Sequence, residues 1–119
     1  MAIGCASASE YRDAVFPAAS PADRVATLVA RDRMIHKPLL FNRSRCQANA
    51  ARARQLAMYL THVVLGQSLT AVGAAFGRDR TTVSYACALI EDMRDDPRFD
   101  QDVSRLEALL ESGEDQGGE

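Results

Sequence analysis

The chain has no run of alternating Val, Ile and Thr of the kind that builds strands, and it has no tryptophan. Alanine is abundant instead, which argues against a sheet-based core and predicts an all-α protein. Only three cysteines occur (Cys5, Cys46 and Cys87), far apart and odd in number. No C-x-x-C pair and no Cys/His cluster offers zinc-finger spacing, so no metal is expected, and a reduced, cytoplasmic setting fits. No apolar run is long enough to span a bilayer. Cys5 follows Ala-Ile-Gly, faintly like a lipid-attachment site, but the apolar stretch a signal peptide needs before its cleavage site is missing. No G-x-x-x-x-G-K-[ST] phosphate loop occurs, so neither ATP nor another cofactor is expected. His36, His62 and Cys46 sit in no catalytic motif. The expectation is that the chain is not an enzyme.

What is present has an uneven charge distribution. The net charge of −2 over 119 residues hides a segregation. From Ser20 to Arg94 there are eleven Lys plus Arg against five Asp plus Glu; from Asp95 to Glu119, two basic residues face nine acidic ones. A basic core with an acidic end suggests a polyanionic partner for the core. The acidic end is open to two readings, a solubilising tail or a segment that competes for the basic face.

Read in order, residues 1–20 form an Ala/Ser/Pro-rich lead-in expected to be flexible. Residues 21–111 make one domain, and residues 112–119 an acidic tail expected to be disordered. Ser20-Pro21 reads as a cap and first-turn pair for a helix over 22–33, with Val25, Leu28 and Val29 inward. Pro38 breaks the pattern, and Leu39, Leu40 and Phe41 should tuck a loop onto the domain. A long helix over 49–65 buries Ala53, Leu56, Ala57, Leu60 and Val64, and Gly66 ends it. A last helix, 99–110, presents Phe99, Val103, Leu106 and Leu110.

The informative stretch runs from Ser68 to Met93. Leu69, Val72 and Phe76 line one short helix, and Val83, Cys87 and Ile90 line a second, predicted over 80–93. Gly77 suits the left-handed residue that ends the first, and Asp79 the N-cap of the second. This is the layout of a helix-turn-helix, whose second helix enters the major groove of DNA. The start of that helix carries Arg78, Asp79, Arg80, Thr81, Thr82, Ser84 and Tyr85. Arg80 has the donor fork for guanine O6 and N7, Asp79 can accept from cytosine N4, and the threonines offer methyls or hydroxyls. Arg43 and Arg45, in a loop, suit a phosphate backbone or minor groove. Arg52, Arg54 and Gln55, placed near the start of the long helix, suit phosphate. Plainer readings stand beside these. Arg78 and Asp79 also suit a solvated pair, Arg52 and Arg54 a wet helix face, Thr81 and Thr82 simple caps, and Tyr85 a place against the first helix.

Three blocks carry a resemblance. They are Arg54-Gln55-Leu56-Ala57-Met58-Tyr59-Leu60, Ser68-Leu69-Thr70-Ala71-Val72-Gly73, and Phe76-Gly77-Arg78-Asp79-Arg80-Thr81-Thr82-Val83, followed by Ala86 and Ile90. Together they resemble the C-terminal DNA-binding domain of the bacterial replication initiator DnaA. The resemblance implies a compact all-α bundle of about five to six helices containing a helix-turn-helix, like that of the Trp repressor. It also implies base contacts from the second helix of the motif and a loop arginine, Arg43 or Arg45, in the minor groove. Thr70 completes the candidate set. Against that family's usual pattern only Gly77 precedes Arg78-Asp79 where two glycines are common. Arg80 stands where histidine is common, and the spacer from Arg43/Arg45 to Arg54 is longer. DNA binding is therefore expected with an altered base preference.

The function expected is sequence-specific binding of double-stranded DNA by a stand-alone initiator-type module without the initiator's ATPase. It would act on transcription or on replication initiation at DnaA-box-like sites, associated with the nucleoid and not with a membrane. A single helix-turn-helix has a short footprint, which leaves a role for a homodimer or a protein partner. The alternative is an interaction module that no longer reads DNA.

Overall fold

Three of the helices begin where a side chain satisfies loose backbone groups. A computed structural model describes residues 20–41 and 48–112, and these are all-helical, without strands. The first helix, α1 (Pro21–Arg33), is capped by Ser20, whose Oγ accepts the Asp23 amide at 3.1 Å, with Pro21 in the first turn. It closes on Met34, held in the left-handed region at φ 57°. A short 3-10 turn, Lys37–Leu40, follows, and Leu40 is fully buried as expected. The other helices are α2 (Ala48–Val63), α3 (Leu69–Phe76), α4 (Arg80–Met93) and α5 (Pro97–Ser112). Residues 1–19 and 113–119, and with them the expected flexible lead-in and disordered tail, lie outside the described residues. So do Arg43 and Arg45.

Helix α2 is the axle of the bundle, packed against α1, α3 and α4. Of the expected stripe, Ala53, Leu56, Ala57 and Leu60 are buried while Val64, just past the helix end, is half-buried; Met58, Tyr59 and Thr61 are buried as well. A helix covered on most sides cannot show a narrow apolar stripe, and here the burial is broader than the periodicity alone suggests. The core draws Val25 and Val29 from α1, Val72 and Phe76 from α3, Val83 and Ile90 from α4, and Val103, Leu106 and Leu110 from α5. Each of the large aliphatic side chains contributes roughly 1.5–3 kcal/mol by leaving water.

The helix expected over 99–110 forms as α5, Pro97 to Ser112, and several acids of this segment are committed within the fold. Arg94 is the hub. Its Nε donates to Asp100 Oδ1 at 2.6 Å, its Nη1 to Glu107 Oε2 at 2.8 Å and to the Tyr59 hydroxyl at 3.1 Å, and its Nη2 to Ser104 at 3.0 Å. The Glu107 hydrogen bond outweighs the cost of desolvation, and with those from Asp100 and Tyr59 it pushes the guanidinium pKa above its already high ordinary value. A second cluster ties α5 to the end of α1: Arg33 Nη2 meets Asp102 Oδ2 at 2.7 Å, and Arg105 bridges Asp32 at 3.0 Å and Asp102.

Candidate nucleic-acid interface

The motif is assembled from three local devices. Ser68 Oγ accepts the Ala71 amide at 3.0 Å and starts α3. Gly77 takes φ 70°, ψ 32° and ends it. Asp79 then caps α4, its Oδ1 accepting the Thr82 amide at 2.8 Å. The boundaries expected for α4, and the roles of Gly77 and Asp79, match what forms.

A fourth device went unnoticed in the sequence. The Arg78 amide donates to the Gly73 carbonyl at 2.8 Å, drawing the turn down onto α3. A Cβ at position 73 would lie 2.4 Å from the Arg78 carbonyl oxygen. Gly73 is thus a requirement of backbone-on-backbone contact. The available signal was a glycine inside a helical pattern, four residues before the glycine that ends it.

On α4, Val83, Ala86 and Ile90 face the core and Cys87 is half-buried. Cys87 is a free thiol, and burial, aided by the Glu91 charge, raises its pKa. The opposite face of the first turns exposes Arg80, Thr81, Thr82, Ser84 and Tyr85. Tyr85 is 65% exposed, so most of its ring surface is open to solvent. The geometry of a helix start leaves the Arg80 and Thr81 amides without intrahelical acceptors, and the helix dipole adds positive potential there. After Asp79, the next acids on the helix are Glu91 and Asp92, both exposed near its far end. The N-terminal half therefore favours an anion and the C-terminal end disfavours one.

The other candidates divide. Thr70 is exposed on α3, Arg78 is half-buried in the turn with Nη1 donating to the Gly77 carbonyl at 3.3 Å, and Gln55 is half-buried on α2. Arg52 is exposed, but its guanidinium lies against Met93 Sδ, at the acidic end of α4. Arg54 is the main correction. Because α2 starts at Ala48, Arg54 is well inside the helix and away from its free amides. Only 7% of it is exposed, and its guanidinium donates to the carbonyls of Leu40 at 3.0 Å and Leu39 at 3.1 Å. The sequence placed it at a phosphate because a cation on a helix looks the same whether it faces water or a neighbouring carbonyl.

Among the described residues no group of three or more His, Cys, Asp or Glu gathers to hold a metal ion, and no helix is long and apolar enough to cross a membrane. A tight turn, a capped second helix and a donor-rich exposed helix start define a DNA-binding helix-turn-helix domain. The comparisons with known proteins name the branch. The family described as bacterial dnaA protein helix-turn-helix matches residues 22–90, and the chain belongs to that family. The chromosomal replication initiator protein DnaA of Acinetobacter baumannii is 47% identical over 64 residues, 52% of this chain and 14% of that protein. Its counterpart in Acinetobacter baylyi is 44% identical over the same shares. DnaA 2 of Chlamydia trachomatis is 54% identical over 43 residues, 36% of this chain and 10% of that protein. The chain thus spans about one seventh of the length of the Acinetobacter relatives.

Proposed function

We propose that this chain binds duplex DNA sequence-specifically through the N-terminal half of α4. Arg80 reads a guanine edge, Thr81 and Thr82 contact thymine methyls or phosphate, and Ser84, Tyr85, Thr70, Arg78 and Gln55 support the backbone contacts. Arg43 and Arg45 are assigned to the backbone or minor groove. The carrying observation is the exposed Arg80–Tyr85 surface at a capped helix start, with the nearest acids on the same helix held to its other end. Asp79 serves first as the cap, with one carboxylate oxygen committed to the Thr82 amide.

The role assigned is that of a modulator of replication initiation or transcription, acting in the nucleoid at sites of the kind initiator-type domains read. Arg80, where relatives commonly carry histidine, shifts the base preference at one position, an effect of about 1–3 kcal/mol for one good bidentate contact. Selection from a random duplex library, repeated at several salt concentrations, tests this. An enriched motif containing a guanine whose preference relaxes in Arg80→Ala is expected. No enrichment, or a motif unaffected by Arg80→Ala and Thr81→Ala, overturns it.

A further inference from the structure

Arg54 is buried on α2, outside the motif. What it holds is the end of the 3-10 turn. Its Nε and Nη2 run to the consecutive carbonyls of Leu40 and Leu39, the last two residues of that turn. A planar fork fixes both position and tilt of such a pair of acceptors, which a lysine's point charge cannot do. The first residue of the turn is pinned separately, Lys37 Nζ meeting Asp23 Oδ1 at 2.6 Å and Thr27 Oγ1 at 2.8 Å on α1. Directly after Leu40, the Phe41 ring stacks on Phe76 with centroids 4.9 Å apart and planes 10° from parallel. Phe76 is fully buried, is the last residue of α3, and precedes Gly77. The Gly77–Asp79 turn leads straight into Arg80.

We infer that Arg54 is a positioning residue for DNA reading: through Leu39–Leu40 and the Phe41–Phe76 stack it sets where the start of α4 sits, and it is not a phosphate ligand. This rests on the DNA-reading role proposed above. Base contacts tolerate misplacement of only about 0.5 Å, so a tilted turn costs specific binding before it costs the fold. A guanidinium already buried against two carbonyls has little surface left to offer a phosphate, and leaving its partners unpaired would be unfavourable.

The test uses the full chain, the duplex recovered by selection, and a random-sequence duplex of equal length. Affinities are measured by fluorescence anisotropy over a salt series, with circular-dichroism melts confirming that each variant is folded at the assay temperature. Arg54→Lys, which keeps the charge, is expected to weaken the selected duplex about tenfold, comparable to one lost base contact. The random duplex and the slope of log K against log salt should stay near wild type. Phe41→Leu, which changes no charge, should reproduce that pattern, and the double variant should be no worse than the poorer single one. Arg54→Lys binding as wild type, additive losses in the double variant, or a slope shallower by about 0.9 in Arg54→Met would overturn the inference, the last by making Arg54 a phosphate ligand. If the Arg54 variants do not fold, Phe41→Leu decides, and an unchanged preference for the selected duplex there overturns the inference. Failure of the wild type to enrich any duplex overturns the DNA-reading role itself, a result distinguishable from all of these.

Discussion

The carbonyl oxygen of Arg78 occupies the space next to Gly73 so closely that a Cβ there would stand 2.4 Å from it. The turn of the motif is built on this contact, with the Arg78 amide bonded to the Gly73 carbonyl at 2.8 Å. Gly73→Ala therefore sets two effects against each other. Alanine favours the helix by about 1 kcal/mol. The collision is with backbone, which cannot swing aside, and overpacking of this kind costs roughly 1–3 kcal/mol. A net loss of stability in urea unfolding is expected, with a larger loss of DNA affinity because the turn itself must move. A stabilised Gly73→Ala protein would refute this.

The Asp79 cap separates folding from base reading. Asp79→Ala should cost about 1 kcal/mol by leaving the Thr82 amide without its acceptor. Asp79→Asn keeps an acceptor oxygen and should retain most of that stability. Comparing the two variants in thermal melts and in binding assays shows whether the charge of Asp79 matters to DNA once the cap is preserved.

Met34 is 91% exposed and sits at φ 57°, a conformation that glycine adopts without cost. Nothing in the packing is lost by trimming it. Met34→Gly should stabilise the domain by up to about 1 kcal/mol, because the relief of left-handed strain exceeds the added freedom of the unfolded chain. Chemical denaturation of the two proteins checks the sign.

Arg94 joins α2, α4 and α5 through Tyr59, Asp100, Ser104 and Glu107. Arg94→Met should lower stability by about 2 kcal/mol, since the Glu107 and Asp100 carboxylates lose a charged donor. Tyr59→Phe removes one neutral partner and should cost about 1 kcal/mol or less. If the two variants melt alike, the hub is not what holds α5.

Acid should loosen the junction of α1 and α5. Desolvation alone would raise the Asp102 pKa, but hydrogen bonds and charges from Arg105 and Arg33 overcome it and hold the carboxyl below its ordinary range. A depressed folded-state pKa means stability that is fully present above the unfolded value, near 4, and is lost as pH falls through the folded value. The urea midpoint should drop below about pH 4 more steeply for wild type than for Asp102→Asn. Parallel curves would assign the acid sensitivity elsewhere.

Much of the helical layout was legible because its causes are local. Ser20, Ser68 and Asp79 each accept the amide three places after them, and Gly77 ends α3 through its own dihedral angles. The exposed side of α4 followed from the same logic: with Val83 and Ile90 inward, Thr81, Ser84 and Tyr85 lie on other faces, while Arg80 is exposed because it stands in the first turn. The main misreading concerns charge: Arg54 resembled a surface cation, and the partners of the acids after Arg94 were not legible. Composition and periodicity record that a charged group is present, not what it meets.

The sequence by itself thus determined, to within about two residues, where helices start and stop and most of what α4 exposes, since those depend on neighbours within one or two turns. Only the tertiary structure decided that Arg54 faces the Leu39 and Leu40 carbonyls, that Gly73 abuts Arg78, and that Asp102 and Glu107 belong to Arg33 and Arg94. For the charged groups the reason is desolvation. Such a group leaves water only where a partner replaces its hydration, and these partners arrive from other elements when the bundle closes.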